Sequence, residues 1–430
     1  MDISSGFDPS VARHRQNDRK LVGLVMSLFF SFGFCTVLVD SIIPKLKALF
    51  ALNYTEVMLT QFCFFGAYFI ISMPAAWLIS RLGYLQSVVA GLGLMAIGCL
   101  LFTPAAKLGL YPAFLGALFI LASGITIVQV AANPLAAEAG DPATASSRLT
   151  LAQAFNSVAT MVGPFFGAYF FLRSGVALPD TSALSPAALA HLRQTHAQVF
   201  EVPFIGIALF LLIVAAVCFA VRALAPEPRH KLDGAAYVKL LGHPRLMLGV
   251  LSIFTYVGAE VSIGSTMINY LMQRSTLGVA AAVAGSMVSL YWGGAMCGRF
   301  IGSYVLARLT PGFVLMGCAI GAGALAVLSS SSVGALAAYS VIAIGLCNSI
   351  MFPTVFTLAI EGLGDLAASA SGLLCLGIVG GAIVPLITGT VADRAGLSTA
   401  LLVPAVCYVW LATYGFLTGR KILSTEIAGP

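Results

Sequence analysis

The sequence predicts an all-α membrane protein whose twelve transmembrane helices form two related six-helix bundles. The chain of 430 residues is 59% hydrophobic and only 9% charged, whereas soluble domains carry about 25% charged residues. Apolar stretches of about 20 residues, the length that crosses a bilayer, recur along the whole chain. A short motif of the first half also returns in the second half. Together these observations predict repeated bundles embedded in a lipid bilayer.

The apolar segments define the predicted helices in order. They lie at about 21–44, 57–80, 84–104, 111–138, 149–172 and 201–224 in the first half, and at 245–272, 279–308, 312–330, 333–360, 367–392 and 397–419 in the second. No cleavable secretory pattern precedes the first run, so we expect that run to remain in the mature protein. An even number of crossings places both termini on the same side.

Lysine and arginine residues predict the orientation. With the N-terminus inside, fifteen of the 22 basic residues fall on inner segments and seven on outer ones, which places both termini in the cytoplasm. The net charge of +6 follows this topology and does not suggest nucleic acid. An outer loop is expected over 173–200. The predicted units are a cytoplasmic tail 1–19, a bundle 20–224, a cytoplasmic linker 225–244, a bundle 245–419 and a cytoplasmic tail 420–430.

The two halves are predicted to be parallel repeats. GDPATASS at 140–147 resembles GDLAASAS at 364–371, and each motif follows a helix expected to break at a proline, Pro134 or Pro353. The first helix of each half can also be matched by placing Gly33 on Gly258. Six-helix repeats joined by a linker favour a binding site between the halves, near the middle of the membrane.

Two acids fall well inside apolar segments, Asp40 in the first helix and Glu260 in the seventh. A carboxylate at membrane depth costs about 2.5 kcal/mol or more, so a chain keeps it where it faces protein or water and has a function. Burial disfavours its charged form, so such an acid can gain and lose a proton near neutral pH. We expect no lysine or arginine at mid-membrane to neutralise either acid. The alternative for Asp40 is solvation near the headgroups, because Lys45 and Lys47 follow closely.

Uncharged polar side chains cluster in the same helices and predict a binding site for a neutral polyol. Gln129 and Asn133 are four residues apart and share a helix face, as do Gln153 and Ser157. Amides offer both donors and acceptors, while aromatic rings offer a flat apolar surface. The candidate ligands are Gln61, Gln129, Asn133, Gln153, Asn156, Tyr256, Glu260, Asn269, Trp292 and Asn348. The alternative for each amide is a hydrogen bond between helices.

Other chemistries are not indicated by the sequence. The nine cysteines lie in apolar segments without a CxxC pair, and the five histidines lie in polar connections. No catalytic triad, metal-ligand spacing or nucleotide-binding loop is present. We therefore expect neither an enzyme nor a bound metal or cofactor.

Three segments resemble the fucose–galactose–glucose:proton symporters of the major facilitator superfamily, especially their bacterial glucose/galactose branch. They are DSIIPKLKALFALNYTEVMLTQFCFFGAYF (40–69), ASGITIVQVAANPLAAEAGDPATASSRLTLAQAFNSVAT (122–160) and YVGAEVSIGSTMINYL (256–271). The resemblance extends from about residue 20 to 420. It implies the major facilitator fold and symport of a monosaccharide (glucose, galactose or fucose) with a proton by alternating access.

The resemblance also assigns roles to single residues. Asp40 takes the position of the family's proton site, and Gln153 that of a sugar-binding glutamine. Gln129 stands where the L-fucose member has a second acid, and Glu260 stands where that member has glutamine. Both match the glucose/galactose branch and so point away from fucose. Relatives often carry asparagine where this chain has Val39.

The remaining expectations concern gating, surroundings and alternatives. GRFIG at 298–302 resembles the family's inner-loop motif, so Arg299, Pro134 and Pro353 are expected to have gating or structural roles. We expect a monomer in the bacterial inner membrane. Sodium is the alternative coupling ion. A drug or metabolite:proton antiporter on the same fold, and a non-transporting sugar sensor, are the alternative functions.

Overall fold

The structure, a computed structural model, describes residues 9–40, 54–108, 110–167, 186–225 and 234–420. The first half contains α1 (Pro9–Asp40), α2 (Tyr54–Leu82), α3 (Tyr84–Leu108), α4 (Tyr111–Glu138), α5 (Ala145–Gly167) and α6 (Pro186–Ala220). The second half contains α7 (Pro244–Met272), α8 (Ala281–Leu306), α9 (Pro311–Ser331), α10 (Gly334–Asn348 and Met351–Ile360), α11 (Ala367–Leu376 and Gly380–Ala395) and α12 (Leu397–Ala400 and Leu402–Gly419). A short helix, Gly234–Leu241, lies in the predicted linker.

The helices carry the predicted membrane character. In the part of the chain that the structure describes, nine helical segments are long and apolar enough to cross a membrane. The other three, α1, α5 and α8, have 32, 23 and 26 residues. Helices are the expected solution, because each backbone donor and acceptor finds its partner within one segment when no water is available.

Two helices extend beyond their predicted bounds. α6 begins at Pro186 and not near residue 201, and α1 begins at Pro9 and not near residue 21. Hydropathy detects only the membrane-spanning part. Residues 186–200 are rich in alanine, leucine and glutamine, and residues 9–20 contain three arginines and a lysine, all of which favour a helix outside the membrane. The predicted outer loop is therefore helical from Pro186. Residues 173–185 of that loop, 41–44 of the first predicted helix and the chain ends 1–8 and 421–430 lie outside the described residues.

The two halves have matching helix contacts, which confirms the predicted pair of related bundles. α1 packs on α5 as α7 packs on α11, α2 on α4 as α8 on α10, and α3 on α4 and α6 as α9 on α10 and α12. Gly33 lies against Asn156 of α5, and its counterpart Gly258 lies against Val384 of α11. The repeated motif forms a single 3-10 turn before α5 and before α11.

The prediction that the fourth helix breaks at Pro134 is wrong, because α4 runs without interruption from Tyr111 to Glu138. Proline lacks the N–H that would bond the carbonyl four residues earlier, here that of Val130. The hydroxyl of Ser371 in α11 donates to this carbonyl at 2.7 Å. The opposite half therefore supplies a donor to the carbonyl that Pro134 leaves free.

The tenth helix is broken as predicted, but the break precedes Pro353. α10 ends its first piece at Asn348 and resumes at Met351. Pro353 leaves the Ser349 carbonyl without its helical donor, and Nε of Arg299 donates to this carbonyl at 3.4 Å. Both predicted structural prolines thus have their free carbonyl bonded by a side chain of another helix.

The halves contact each other at one end of the bundle, through the starts of α5 and α11 and the ends of α8 and α10. The hydroxyls of Ser146 and Thr357 are 2.6 Å apart, and Ser147 donates to the Ser303 carbonyl at 2.6 Å. Ser147 and Ser371 occupy equivalent positions of the repeated motif, and each donates to a carbonyl of the opposite half. We call this region, defined by these residues, the closed end.

A buried arginine lies where α7 begins. Arg245 is 2% exposed and pairs with Glu361, which is 55% exposed. The preceding His243 caps α7 by accepting at Nδ1 from the Leu246 N–H, 3.3 Å away. Burial and the neighbouring Arg245 lower the pKa of His243. The imidazole therefore stays neutral, as an accepting ring nitrogen requires.

Glu361→Ala is expected to destabilise the protein by about 2 kcal/mol, because it removes a charged hydrogen bond and leaves the Arg245 guanidinium unpaired. The loss is smaller than for a fully buried pair, because Glu361 is half exposed. Thermal unfolding in detergent measures the effect. The matched control is Arg245→Met with Glu361→Leu, which removes both charges and should retain most of the stability. An unchanged unfolding temperature for Glu361→Ala would show that the pair contributes nothing.

Candidate functional site

Glu260 lies in the middle of α7 and is bonded to the tyrosine one turn before it. The hydroxyl of Tyr256 is 2.7 Å from Oε1 of Glu260 and 3.1 Å from the backbone carbonyl oxygen of Asn348. Tyr256 is fully buried, whereas Glu260 is only partly buried. The spacing of four residues in α7 puts both side chains on one face. The tyrosine hydroxyl therefore connects the predicted acid to the break in α10.

Asn348 is held by tyrosines from two other helices. Its Nδ2 donates to the hydroxyl of Tyr291 in α8, and the hydroxyl of Tyr408 in α12 donates to its Oδ1, both at 2.8 Å. Asn348 has no exposed surface. In this conformation the predicted sugar ligand thus serves as a bridge between helices. The hydrogen bonds from these two tyrosines to Asn348 were not predicted, although a buried tyrosine hydroxyl usually has a hydrogen-bond partner.

Arg299 joins the two halves beside this network. Its Nη1 donates to the Gln153 carbonyl at 3.3 Å and to the Ser157 hydroxyl, both in α5. It also interacts electrostatically with Glu260. We expected no lysine or arginine at mid-membrane to neutralise either acid, but Arg299 lies close enough to Glu260 to interact with its charge, although its hydrogen bonds go to other groups. The GRFIG motif was assigned to an inner loop, but Arg299 lies about two helical turns before α8 ends at Leu306.

Three of the five predicted amides of the first half are Gln129 in α4 and Gln153 and Asn156 in α5. Gln153 is 8% exposed, and Asn156 donates from Nδ2 to the Phe29 carbonyl of α1 at 3.0 Å. Gln129 is partly exposed and makes no hydrogen bond to another side chain or backbone group that the structure describes. An amide without a protein partner is available to a polar ligand. Gln153 likewise bonds the described residues only through its backbone carbonyl, so the side-chain amides of Gln129 and Gln153 are both available to a ligand.

The other predicted ligands lie in different surroundings. Asn133 is fully buried, and its Nδ2 is 3.9 Å from Sγ of Cys375 in α11, within the contact between the halves. Asn269 is exposed near the end of α7. Trp292 is 46% exposed, and its ring packs edge-on against Tyr291 at 5.1 Å.

Two predicted residues carry no side-chain description. Asp40 is the last residue of α1, and Gln61 lies in the second turn of α2. The side chains of both lie outside the described residues. Their roles remain predictions.

A separate cavity of about 890 Å³ lies at the closed end, away from this network. Its lining includes the charged residues Glu138, Arg245, Arg308, Glu361 and Asp365. None of the predicted sugar ligands lines it. Within the described ranges, no three His, Cys, Asp or Glu residues are placed to hold a metal ion.

Two parallel six-helix repeats that meet at one end, with an acid, an arginine and amides between them, define a secondary transporter. The chain belongs to the Major Facilitator Superfamily, whose sequence profile matches residues 25–385. This confirms the predicted fold class and a multi-pass membrane protein.

Relatives and solved structures agree with this family. The chain is 47% identical over 400 residues to the glucose/galactose transporter of Brucella abortus, covering 92% of this chain and 93% of that one. It is 32% identical over 404 residues to the L-fucose-proton symporter of Escherichia coli, covering 90% of each. The crystal structure of the transporter FucP in the outward conformation superposes with a TM-score of 0.85 at 30% identity, covering 92% of this chain and 98% of that one. The predicted family resemblance is confirmed, as is the prediction of a transporter and not an enzyme.

Proposed function

We propose that the protein is a secondary active transporter that couples uptake of a monosaccharide to protons, with glucose or galactose as the substrate. The similarity over 92% of the chain to a glucose/galactose transporter carries this proposal. The uncharged amides beside a single acid and arginine support a neutral polyol. A binding site for a cationic drug would need more acidic residues, and a site for an anionic metabolite would need more arginines.

The proposed mechanism is alternating access, in which the bundles 20–224 and 245–419 rock against each other. We place both termini in the cytoplasm of a bacterial inner-membrane protein that acts as a monomer. In this orientation the closed end faces the cytoplasm, and the site opens to the outside. The close superposition on a transporter in the outward conformation supports this assignment. Pro134, Pro353 and Arg299 then act at the contact that must open for release.

The proposed roles follow the polar groups between the halves. Asp40 binds the transported proton, and Glu260 binds sugar or a second proton. Gln61, Gln129, Asn133, Gln153, Asn156, Tyr256, Asn269, Trp292 and Asn348 are proposed sugar contacts during the cycle. For the fully buried Asn133 and Asn348 this requires the halves or α10 to rearrange. The coupling ion is a proton, with sodium as the alternative.

Asp40→Asn is expected to abolish accumulation of labelled hexose driven by a pH gradient in proteoliposomes, because an amide cannot carry the proton. Exchange of sugar for sugar should continue, since exchange needs no net proton movement. In Asp40→Asn, the internal hexose concentration should rise only to the external one. The matched control is Asp393→Asn, which changes an exposed residue near the end of α11 and should still accumulate hexose. Repeating the assay with a sodium gradient tests the alternative ion. Continued accumulation by Asp40→Asn against a pH gradient would disprove the proton-site assignment.

A further inference from the structure

We propose that Glu260 holds a proton in this conformation and that Tyr256 transmits the protonation state of Glu260 to the break in α10 at Asn348. The inference rests on the proposed proton-coupled transport and identifies a second group that binds a proton during the cycle. Three oxygen atoms contact one another here: Oε1 of Glu260, the Tyr256 hydroxyl and the Asn348 carbonyl. The two contacts between them need two hydrogens, and the hydroxyl supplies only one.

The Tyr256 hydroxyl has one hydrogen and two acceptors within reach. Oε1 of Glu260 lies 2.7 Å away, and the Asn348 carbonyl oxygen lies 3.1 Å away. A carbonyl oxygen can only accept, and an ionised carboxylate can also only accept. With Glu260 ionised, one of the two contacts therefore has no hydrogen. With Glu260 protonated, its O–H donates to Tyr256, whose O–H donates to Asn348, and both contacts are hydrogen bonds.

The carbonyl that Tyr256 contacts belongs to Asn348, and the position of Asn348 is fixed by its neighbours. Asn348 ends the first piece of α10, and its side chain is fixed between Tyr291 and Tyr408. Because the amide is bonded on both sides, its backbone carbonyl cannot turn easily to another donor. A buried acceptor that loses its donor is costly. The geometry therefore favours the protonated acid as long as this arrangement persists.

The charged and titratable groups around Glu260 are compatible with a protonated carboxyl group. Arg299 and Tyr291 of α8, Tyr408 of α12 and Tyr256 of its own helix interact with it electrostatically. Arg299 is the cation among them, and its bonds go to the Ser349 and Gln153 carbonyls and the Ser157 hydroxyl, not to the carboxyl group. No bonded counterion to Glu260 exists among the described residues.

Release of the proton from Glu260 to water changes two contacts at once. Tyr256 then donates to the carboxylate and leaves the Asn348 carbonyl without that donor. The new negative charge also attracts Arg299, which competes with the bonds from Arg299 to α5 in the other half. Both changes weaken the present arrangement, and by reciprocity the arrangement strengthens proton binding. Raising the pH should therefore favour opening of the closed end.

Infrared spectroscopy of the protein in liposomes tests the proton directly. We expect a carboxylic acid C=O band at neutral pH that Glu260→Gln removes and that Asp40→Asn leaves in place. Tyr256→Phe should shift the frequency of this band, because it removes the hydrogen-bond partner of the acid. Tyr270→Phe is the matched control, since this buried tyrosine of α7 donates to the Ser329 carbonyl at 2.7 Å. If Glu260→Gln does not fold, Glu260→Asp must shift the band instead.

Thiol labelling tests the consequence for the closed end. Cys375 has no exposed surface and lies between the halves. In a variant without other cysteines, its rate of reaction with N-ethylmaleimide, divided by the rate for the same unfolded variant at each pH, therefore reports opening and not the thiolate fraction. We expect labelling to accelerate as the pH rises, and Glu260→Gln to stay protected at every pH. Tyr256→Phe should reduce the pH effect by about tenfold, as for the loss of one hydrogen bond. Tyr270→Phe should not.

The outcomes separate this inference from the proposed function. A wild-type protein that accumulates hexose with a pH gradient but shows no acid band sensitive to Glu260 overturns the inference alone. The same holds if Glu260→Gln leaves the pH dependence of labelling unchanged. A protein that shows both signatures yet transports no hexose retains the inference and overturns the proposed substrate.

Discussion

Gly372→Ala is expected to lower hexose uptake by about tenfold or more, because the added methyl group prevents the halves from closing. A Cβ at this position of α11 would lie 2.7 Å from Cβ of Ala76 and 2.9 Å from the Ser72 carbonyl oxygen, both in α2 of the other half. Backbone and Cβ atoms cannot rotate away, so the halves must separate. Overpacking of this kind costs about 1–3 kcal/mol, and about 1.4 kcal/mol is a tenfold change in an equilibrium.

The measurements are the uptake rate and the protection of Cys375, which should fall together in Gly372→Ala. Gly389→Ala is the matched control, because a Cβ at this other α11 glycine meets nothing within 4 Å. Both substitutions raise helix propensity by a similar amount, so a difference between them reports the contact between the halves. Normal uptake with full protection of Cys375 in Gly372→Ala would show that the closed end is not as tight as described.

The number of helices and the correspondence between the two halves could be predicted, because apolar length and the repeated motif are both read directly from short stretches of sequence. A bilayer requires about 20 apolar residues for each crossing, and each half must bury its helices in the same way. Gly33 and Gly258 were matched from sequence, and each closely contacts the corresponding neighbour, α5 or α11. The starting residues of α1 and α6 were mispredicted, because hydropathy detects only the part of a helix that lies in the membrane.

The partner of the carbonyl that each proline leaves free could not be predicted, because the donor comes from another helix. Pro134 and Pro353 each free one carbonyl, yet α4 remains continuous and α10 does not. The donor at Val130 comes from Ser371, more than 200 residues away in sequence. No local pattern encodes such a contact.

The candidate site was predicted in part for the same reason. Glu260 and Tyr256 lie one turn apart in one helix, so periodicity brings them together. Asn348 depends on Tyr291 and Tyr408 from separate helices, and this contact exists only once three helices have packed. The amide of Asn348 predicted a hydrogen-bonding role correctly in kind, but the sequence contains no information on whether the partner is a sugar or a tyrosine.

Arg299→Gln is expected to shift the protein strongly from the closed to the open form, because one guanidinium binds both halves and lies near the acid. It donates to the Ser349 carbonyl in its own half and to Gln153 and Ser157 in the other. Losing these charge-assisted bonds should cost about 3 kcal/mol in the closed arrangement, on the order of a hundredfold in the ratio of closed to open forms. Lysine cannot replace the planar fork of donors, so Arg299→Lys should recover little.

Protection of Cys375 and concentrative uptake measure this loss, and Arg308→Gln is the matched control. Arg308 lies just past the end of α8 and stacks on Tyr304, so its removal should leave both readouts unchanged.

Combining Arg299→Gln with Glu260→Gln distinguishes a purely mechanical role of Arg299 from a role coupled to the charge of Glu260. If Arg299 responds to the charge of Glu260, the double variant should lose less concentrative uptake than the sum of the two single losses in uptake. Strict additivity would show that Arg299 joins the halves without responding to the acid.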